Sequence, residues 1–193
     1  MKPIFLIGFM GSGKTTLGEA LGRVAGDVSS FLPIGCRYID LDDCIEQRVG
    51  MSVRQFFQER GEREFRRLEA EIIRELGVSD DIIIGCGGGT PCHSGNMDWM
   101  NAHGVTVFLD ASESVLLRRL LEGQEQRPLL AGFTPDELAA FISAKLRERK
   151  RWYGMAQMRL DSDRLESPGE IADTVEEFCR MINRSGMFEN FNR

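Results

Sequence analysis

The run Gly8-Phe9-Met10-Gly11-Ser12-Gly13-Lys14-Thr15 fits the pattern G-x-x-x-x-G-K-[ST] at every fixed position. Glycines let the chain curl until successive backbone N–H groups point inward at an anion, and the positive end of the following helix adds to the attraction. Gly11, Ser12, Gly13, Lys14, Thr15 and Thr16 are therefore expected to line the phosphates of ATP or GTP. Lys14 should reach the β- and γ-phosphates, and the Thr15 hydroxyl should complete the shell of a Mg²⁺ ion that keeps several waters. A plain glycine turn opening an ordinary helix is the alternative; the apolar strand before the motif and the helical period after it argue against that.

Further residues suit a phosphoryl acceptor. Tyr38-Ile39-Asp40-Leu41-Asp42-Asp43 puts carboxylates at i and i+2 where a strand leaves the sheet. One acid there can hold metal-bound water while the other takes the proton of an attacking hydroxyl, although an acidic helix N-terminus explains the same residues. In Phe65-Arg66-Arg67-Leu68-Glu69, Arg66 and Glu69 share a helix face. A guanidinium fixed by a carboxylate can grip a substrate carboxylate bidentately, but Glu62–Arg66 and Arg67–Glu71 also fit surface pairing at i, i+4. Gly87-Gly88-Gly89 offers bare backbone for close approach, or merely a flexible turn. Arg127, in Arg127-Pro128-Leu129-Leu130, sits in a polar loop that can fold over a nucleotide, and Arg149 precedes Tyr153 by four residues at the end of a basic helix.

Holding these residues together requires a sheet. Short apolar runs alternate with longer stretches of helical period, the signature of an α/β fold with a parallel sheet and crossover helices. Five strands are expected at Pro3–Phe9, Arg37–Asp40, Asp81–Cys86, Val105–Leu109 and Met158–Asp161. Helices are expected at Lys14–Val24, Leu41–Val49, Ser52–Leu76 with a break near Gly61, Gly95–His103, Ser112–Leu121, Thr134–Tyr153 and Pro168–Asn183. Thr134-Pro135 with Glu137, and Ser167-Pro168 with Glu170, read as capped helix starts. Gly26–Gly35 reads as a surface excursion, Glu122–Phe133 as a mobile loop and Ser185–Arg193 as a tail. Val105–Asp110 imitates a Walker B box, but Asp110 leads into Ala111-Ser112-Glu113, a helix start.

The chain has 193 residues, 42% hydrophobic and 28% charged, which suits one globular domain rather than a disordered or membrane class. A net charge of −6 with interleaved signs argues against a nucleic-acid partner. Five cysteines without a C-x-x-C pair point away from a disulfide framework or a zinc site. With neither a signal-peptide pattern nor an apolar run of roughly 20 residues, a cytoplasmic location and no membrane contact are expected.

Taken in order, the Walker A loop, D-x-D, F-R-x-x-E, G-G-G, R-P-L-L and late R-x-x-x-Y resemble the shikimate kinase family over Gly8 to Tyr153. The resemblance implies a P-loop fold of the nucleoside-monophosphate-kinase type: a three-layer sandwich, a five-stranded parallel sheet and a mobile lid at about 122–133, with 1–184 one kinase domain and 185–193 a flexible tail. It implies transfer of the γ-phosphoryl group of ATP to the 3-hydroxyl of shikimate, on the route to chorismate and aromatic amino acids, by a monomer using Mg²⁺. Asp42 would meet the acceptor hydroxyl, and Asp40 would sit by the metal's water shell. Arg66, oriented by Glu69, would share the shikimate carboxylate with Arg149, beside Gly87, Gly88 and Gly89. Arg127 would be the lid arginine, serving both ATP binding and catalysis together with Lys14.

The chain departs from the family in a longer Gly26–Gly35 loop and in a spacing one residue short after Tyr153, which leaves the adenine-side contact near Ser162–Leu165 unassigned. The rival readings are a gluconate or nucleoside-monophosphate kinase, against which D-x-D, F-R-x-x-E and G-G-G argue together, and a non-catalytic ATP-binding module. The latter would be expected to lack Asp42 or Arg127, and both are present.

Overall fold

Ile4-Phe5-Leu6-Ile7 can be a central strand only if both its faces are covered. In the computed structural model, which describes residues 1–27, 32–33, 35–123, 130 and 132–185, all four side chains are buried. This strand, β1 (Ile4–Ile7), pairs in parallel with β3 (Ile82–Gly85) on one side and β4 (Val105–Asp110) on the other. Strands β2 (Arg37–Asp40) and β5 (Met158–Asp161) complete a five-stranded parallel sheet of order β2-β3-β1-β4-β5. Ile4 and Leu6 join one core with Leu17, Leu21 and Phe178, under α1 (Lys14–Val24) and α7 (Pro168–Arg184). Phe5 and Ile7 face the opposite way, into a core shared with α2 (Leu41–Val49), α3 (Val53–Leu76) and α4 (Asn96–His103). Phe9 anchors a third cluster beneath α5 (Glu113–Glu122) and α6 (Pro135–Tyr153), packed with Leu116, Leu120, Leu138 and Ile142.

The topology places the ligand crevice. The chain leaves β1 for the β2 side of the sheet and crosses back from β3 to β4, so the carboxyl end of β1 lies where strand order reverses. The phosphate motif follows β1 directly, the paired aspartates follow β2 and the three glycines follow β3. Three distant sequence segments are thereby brought to one edge.

Local chemistry fixes the helices. Thr134 and Ser167 form full capping boxes with Glu137 and Glu170, each with proline in the first turn. Asp40 caps α2 by accepting from Asp42 N, so the acidic helix start and a site carboxylate are the same residue. The expected break in the long helix falls on Gly61, whose φ of 79° and ψ of 170° lie outside helical space and would strain a side chain.

Three expectations change in detail. The first strand stops at Ile7 because the glycine loop turns away at Gly8 and sends Phe9 into the third cluster. A 3₁₀ turn at Thr90–Cys92, too short to show periodicity, follows the three glycines. The Gly26–Gly35 excursion is not all surface, since Leu32 is buried in the first core; its residues 28–31 and 34 lie outside the described residues. Much of the lid, 124–129 and 131, and the tail 186–193 also lie outside them.

Tyr38 wedges its ring between α1 and the sheet. A Cβ on Gly18 would overlap that ring, and one on Gly85 would overlap its hydroxyl end. Gly18→Ala is expected to lower stability by about 1–3 kcal/mol through overpacking, read as a lower urea midpoint and a melting temperature several degrees down. An unchanged melting curve would show that the ring is not held there.

Candidate active site

Gly11 and Gly13 adopt left-handed φ of 80° and 90°. Gly13 is the last residue before α1, so the loop delivers its N–H groups at a helix N-terminus. Within this curl Lys14 Nζ donates to the carbonyls of Gly8 and Phe9 at 3.0 and 2.9 Å. Burial pushes its pKa down to about 8, opposed chiefly by the negative charge of Asp40. A phosphate entering the loop would supply the partner that favours the ammonium.

Asp40 ties the phosphate loop to β2. Its Oδ2 accepts from the Tyr38 hydroxyl at 3.0 Å and from Thr15 Oγ1 at 3.3 Å, while Oδ1 accepts from Asp42 N at 3.0 Å. The juxtaposed Thr15 hydroxyl and Asp40 carboxylate suit a hard cation that retains much of its water. Among the described residues no three His, Cys, Asp or Glu side chains are grouped to hold a metal, so an ion here would rely on nucleotide oxygens as well.

On the acceptor side the three glycines make room for different partners. A Cβ on Gly87 would come within 3.5 Å of Asp42 Oδ1 and 3.3 Å of Glu69 Oε1; on Gly88, within 3.0 Å of Arg149 Nη1; on Gly89, within 2.7 Å of Arg66 Nη2. The turn is pinned by Tyr153, whose hydroxyl donates to Gly88 O at 2.7 Å, and by Thr90 N, which donates to Gly87 O at 3.0 Å. Burial pushes Asp42 up to about 6, helped by the neighbouring charges of Asp40 and Glu69 and resisted by Lys14.

The arginines sort differently. Arg66 Nη1 meets the buried Glu69 at 2.9 Å and its Nε reaches Glu62 at 3.4 Å, so the site-facing and surface pairings exist together. Arg67, two-thirds exposed, pairs outward with Glu64 and Glu71. Arg149 lies over the Phe9 ring, 5.4 Å from its centroid, with a buried Nη1 that has no hydrogen-bond partner among the described residues. A buried guanidinium nitrogen in that condition calls for an anionic acceptor. Arg127 lies outside the described residues.

Three features were not readable beforehand. Arg119 donates to the carbonyls of Gly11, Ser162 and Asp163 at 3.2, 3.0 and 2.9 Å, joining the phosphate loop to the segment after β5. That contact spans 108 residues and has no local pattern. Leu165 and Glu166 border the same loop, around a cavity of about 280 Å³ lined also by Lys14, Thr15 and Thr16. The buried Thr90 hydroxyl donates to Glu69. Asp110 ends β4 and pairs with Arg159, while Ser112, rather than Asp110, caps α5.

Residues 10–180 match the family model described as shikimate kinase. A shikimate kinase of Phocaeicola vulgatus is 42% identical over 184 residues, covering 95% of this chain and all of that one. A crystal structure of shikimate kinase from Bacteroides thetaiotaomicron superposes with a TM-score of 0.87 at 40% identity, over 94% of this chain and 98% of that one. The fold is also shared, with a TM-score of 0.78 at 24% identity and 97% and 96% coverage, by a shikimate kinase from Acinetobacter baumannii in complex with shikimate.

Asp42 carries a stability cost with a defined pH window. Its folded pKa of about 6 lies above the ordinary 3.8, so the folded chain binds the proton more tightly and the cost of the ionised form is full above about pH 6 and absent below 3.8. Asp42→Asn is expected to raise the stability of the ligand-free protein at pH 7–8 by on the order of 1–3 kcal/mol. The gain should vanish near pH 3.5 in thermal melts; a gain independent of pH would assign it to something other than the carboxylate.

Proposed function

The chain belongs to the shikimate kinase family and is an ATP-dependent kinase of shikimate; we propose that Asp42 receives the acceptor proton while Arg66 and Arg149 hold the shikimate carboxylate. The observation that carries this reading is the convergence of Asp42, Arg149 and Arg66 on the bare turn Gly87–Gly89. Arg149 Nη1 lacks an acceptor among the described residues, and Arg66 is braced by Glu69, so two guanidinium groups stand ready for one carboxylate. That clamp fixes the ring and turns its 3-hydroxyl toward Asp42.

Asp42 is suited to the proton. With a pKa of about 6 it is largely ionised at neutral pH yet more basic than an ordinary aspartate. As the hydroxyl oxygen bonds to the γ-phosphorus, the bond from phosphorus to the β,γ-bridging oxygen breaks, ADP departs and the hydroxyl proton passes to an Asp42 oxygen, giving shikimate 3-phosphate. Gly11, Ser12, Gly13, Thr15 and Thr16 hold the phosphates, and Lys14 turns from the Gly8 and Phe9 carbonyls to the negative charge on the transferred group. A Mg²⁺ ion bound by Thr15, with Asp40 holding its water, would neutralise charge shared by the β- and γ-phosphates. Arg127 is the lid arginine in this reading, and Leu165 and Glu166 flank the adenine side. In this reading residues 1–184 act as one domain and the protein works as a monomer. No helix among the described residues is long and apolar enough to cross a membrane, which fits the proposed place of action in the cytoplasm.

An ADP-release assay with shikimate, gluconate and nucleoside monophosphates is expected to show turnover with shikimate alone; turnover with gluconate only would overturn the substrate assignment. Asp42→Asn should cut kcat by about 10²–10⁴ while leaving equilibrium ATP binding within about twofold, and full activity would remove Asp42 from the proton's path. Arg66→Ala should raise KM for shikimate with little change in KM for ATP.

A further inference from the structure

Glu69 is fully buried, so each of its carboxylate oxygens needs a hydrogen-bond donor. Arg66 fills Oε2; the Thr90 hydroxyl fills Oε1. Thr90 is equally buried, and its backbone is held at both ends: its N–H donates to Gly87 O at 3.0 Å, and its carbonyl accepts from Asn96 Nδ2 at 3.0 Å. Asn96, also buried, is fixed in turn by Arg74 Nη1 on its Oδ1 at 2.9 Å. The hydroxyl is therefore delivered from an immobile turn. It also lies at the meeting point of the acceptor side, since a Cβ on Gly87 would contact Thr90 Oγ1, Glu69 Oε1 and Asp42 Oδ1 at 3.1, 3.3 and 3.5 Å.

We propose that Thr90 is a positioning residue for the shikimate clamp: its hydroxyl locks the Glu69 carboxylate in the one orientation that aims Arg66 at the substrate. The inference rests on the reading of Arg66 as part of that clamp. Thr90 itself reaches the substrate only through Glu69 and Arg66. Without the hydroxyl, the Glu69 oxygen left unpaired must turn to another donor, and that rotation frees the guanidinium. Neither the ATP loop nor the Tyr153–Gly88 contact depends on it.

The test is steady-state kinetics on Thr90→Val, Thr90→Ser, Arg66→Ala and the Arg66→Ala/Thr90→Val double variant. Loss of a hydrogen bond to a buried charge predicts a rise of about tenfold or more in KM for shikimate in Thr90→Val, with KM for ATP within about twofold, and recovery in Thr90→Ser. The double variant should match Arg66→Ala, because Thr90 acts through that arginine. If Thr90→Val does not fold, Thr90→Ala carries the same comparisons. An unchanged shikimate KM, equal rises for both substrates, failure of serine to restore it, or multiplicative effects in the double variant would each overturn the proposal while leaving the clamp standing. An unchanged KM in Arg66→Ala would remove the clamp itself, and this inference with it.

Discussion

Three cations and three carboxylates, Lys14, Arg66, Arg149, Asp40, Asp42 and Glu69, are gathered at the carboxyl edge of the sheet. Charges withdrawn from water must either pair or surrender their charge, and the arrangement shows both tendencies. Glu69 is the paired extreme, with a donor on each oxygen. Asp42 and Lys14 are the incomplete cases, and their proton affinities move toward one another, the acid upward and the amine downward. Arg149 Nη1 has no hydrogen-bond partner among the described residues and is open to an acceptor. These six groups are thus matched in sign but not all in hydrogen bonds.

How much of this was legible depends on the range of the interaction. The phosphate loop is a contiguous motif whose demands fall on eight neighbouring residues, so sequence spacing alone describes it. Asp40 and Asp42 were visible as a pair, and the ambiguity between helix cap and site acid dissolves because Asp40 does both. Arg66 presented a similar choice, and both of its pairings exist. The family resemblance selected among readings that the residues themselves left open.

What escaped notice is long-range or lacks a period. Three consecutive glycines announce a need for room without saying who requires it; the occupants come from α2, α3 and α6. Thr90 lies 21 residues from Glu69 in a turn too short to announce itself, and Arg119 reaches the phosphate loop from the last turn of an ordinary amphipathic helix. Buried Leu32 shows the same limit, because a segment rich in Gly, Ser and Pro conceals one side chain that belongs to the core.

The Tyr38 ring, lodged between Gly18 and Gly85, also constrains the order in which this protein can change. Adding a side chain at either glycine overpacks the ring and costs stability while the tyrosine remains, whereas the ring can shrink first at the cost of a cavity. Its hydroxyl is bound to Asp40, so that first step touches the metal side of the crevice as well. Tyr38 thus couples Gly18 and Gly85, two positions far apart in sequence, through a single aromatic ring: the cost of a side chain at either depends on the size of the residue at 38.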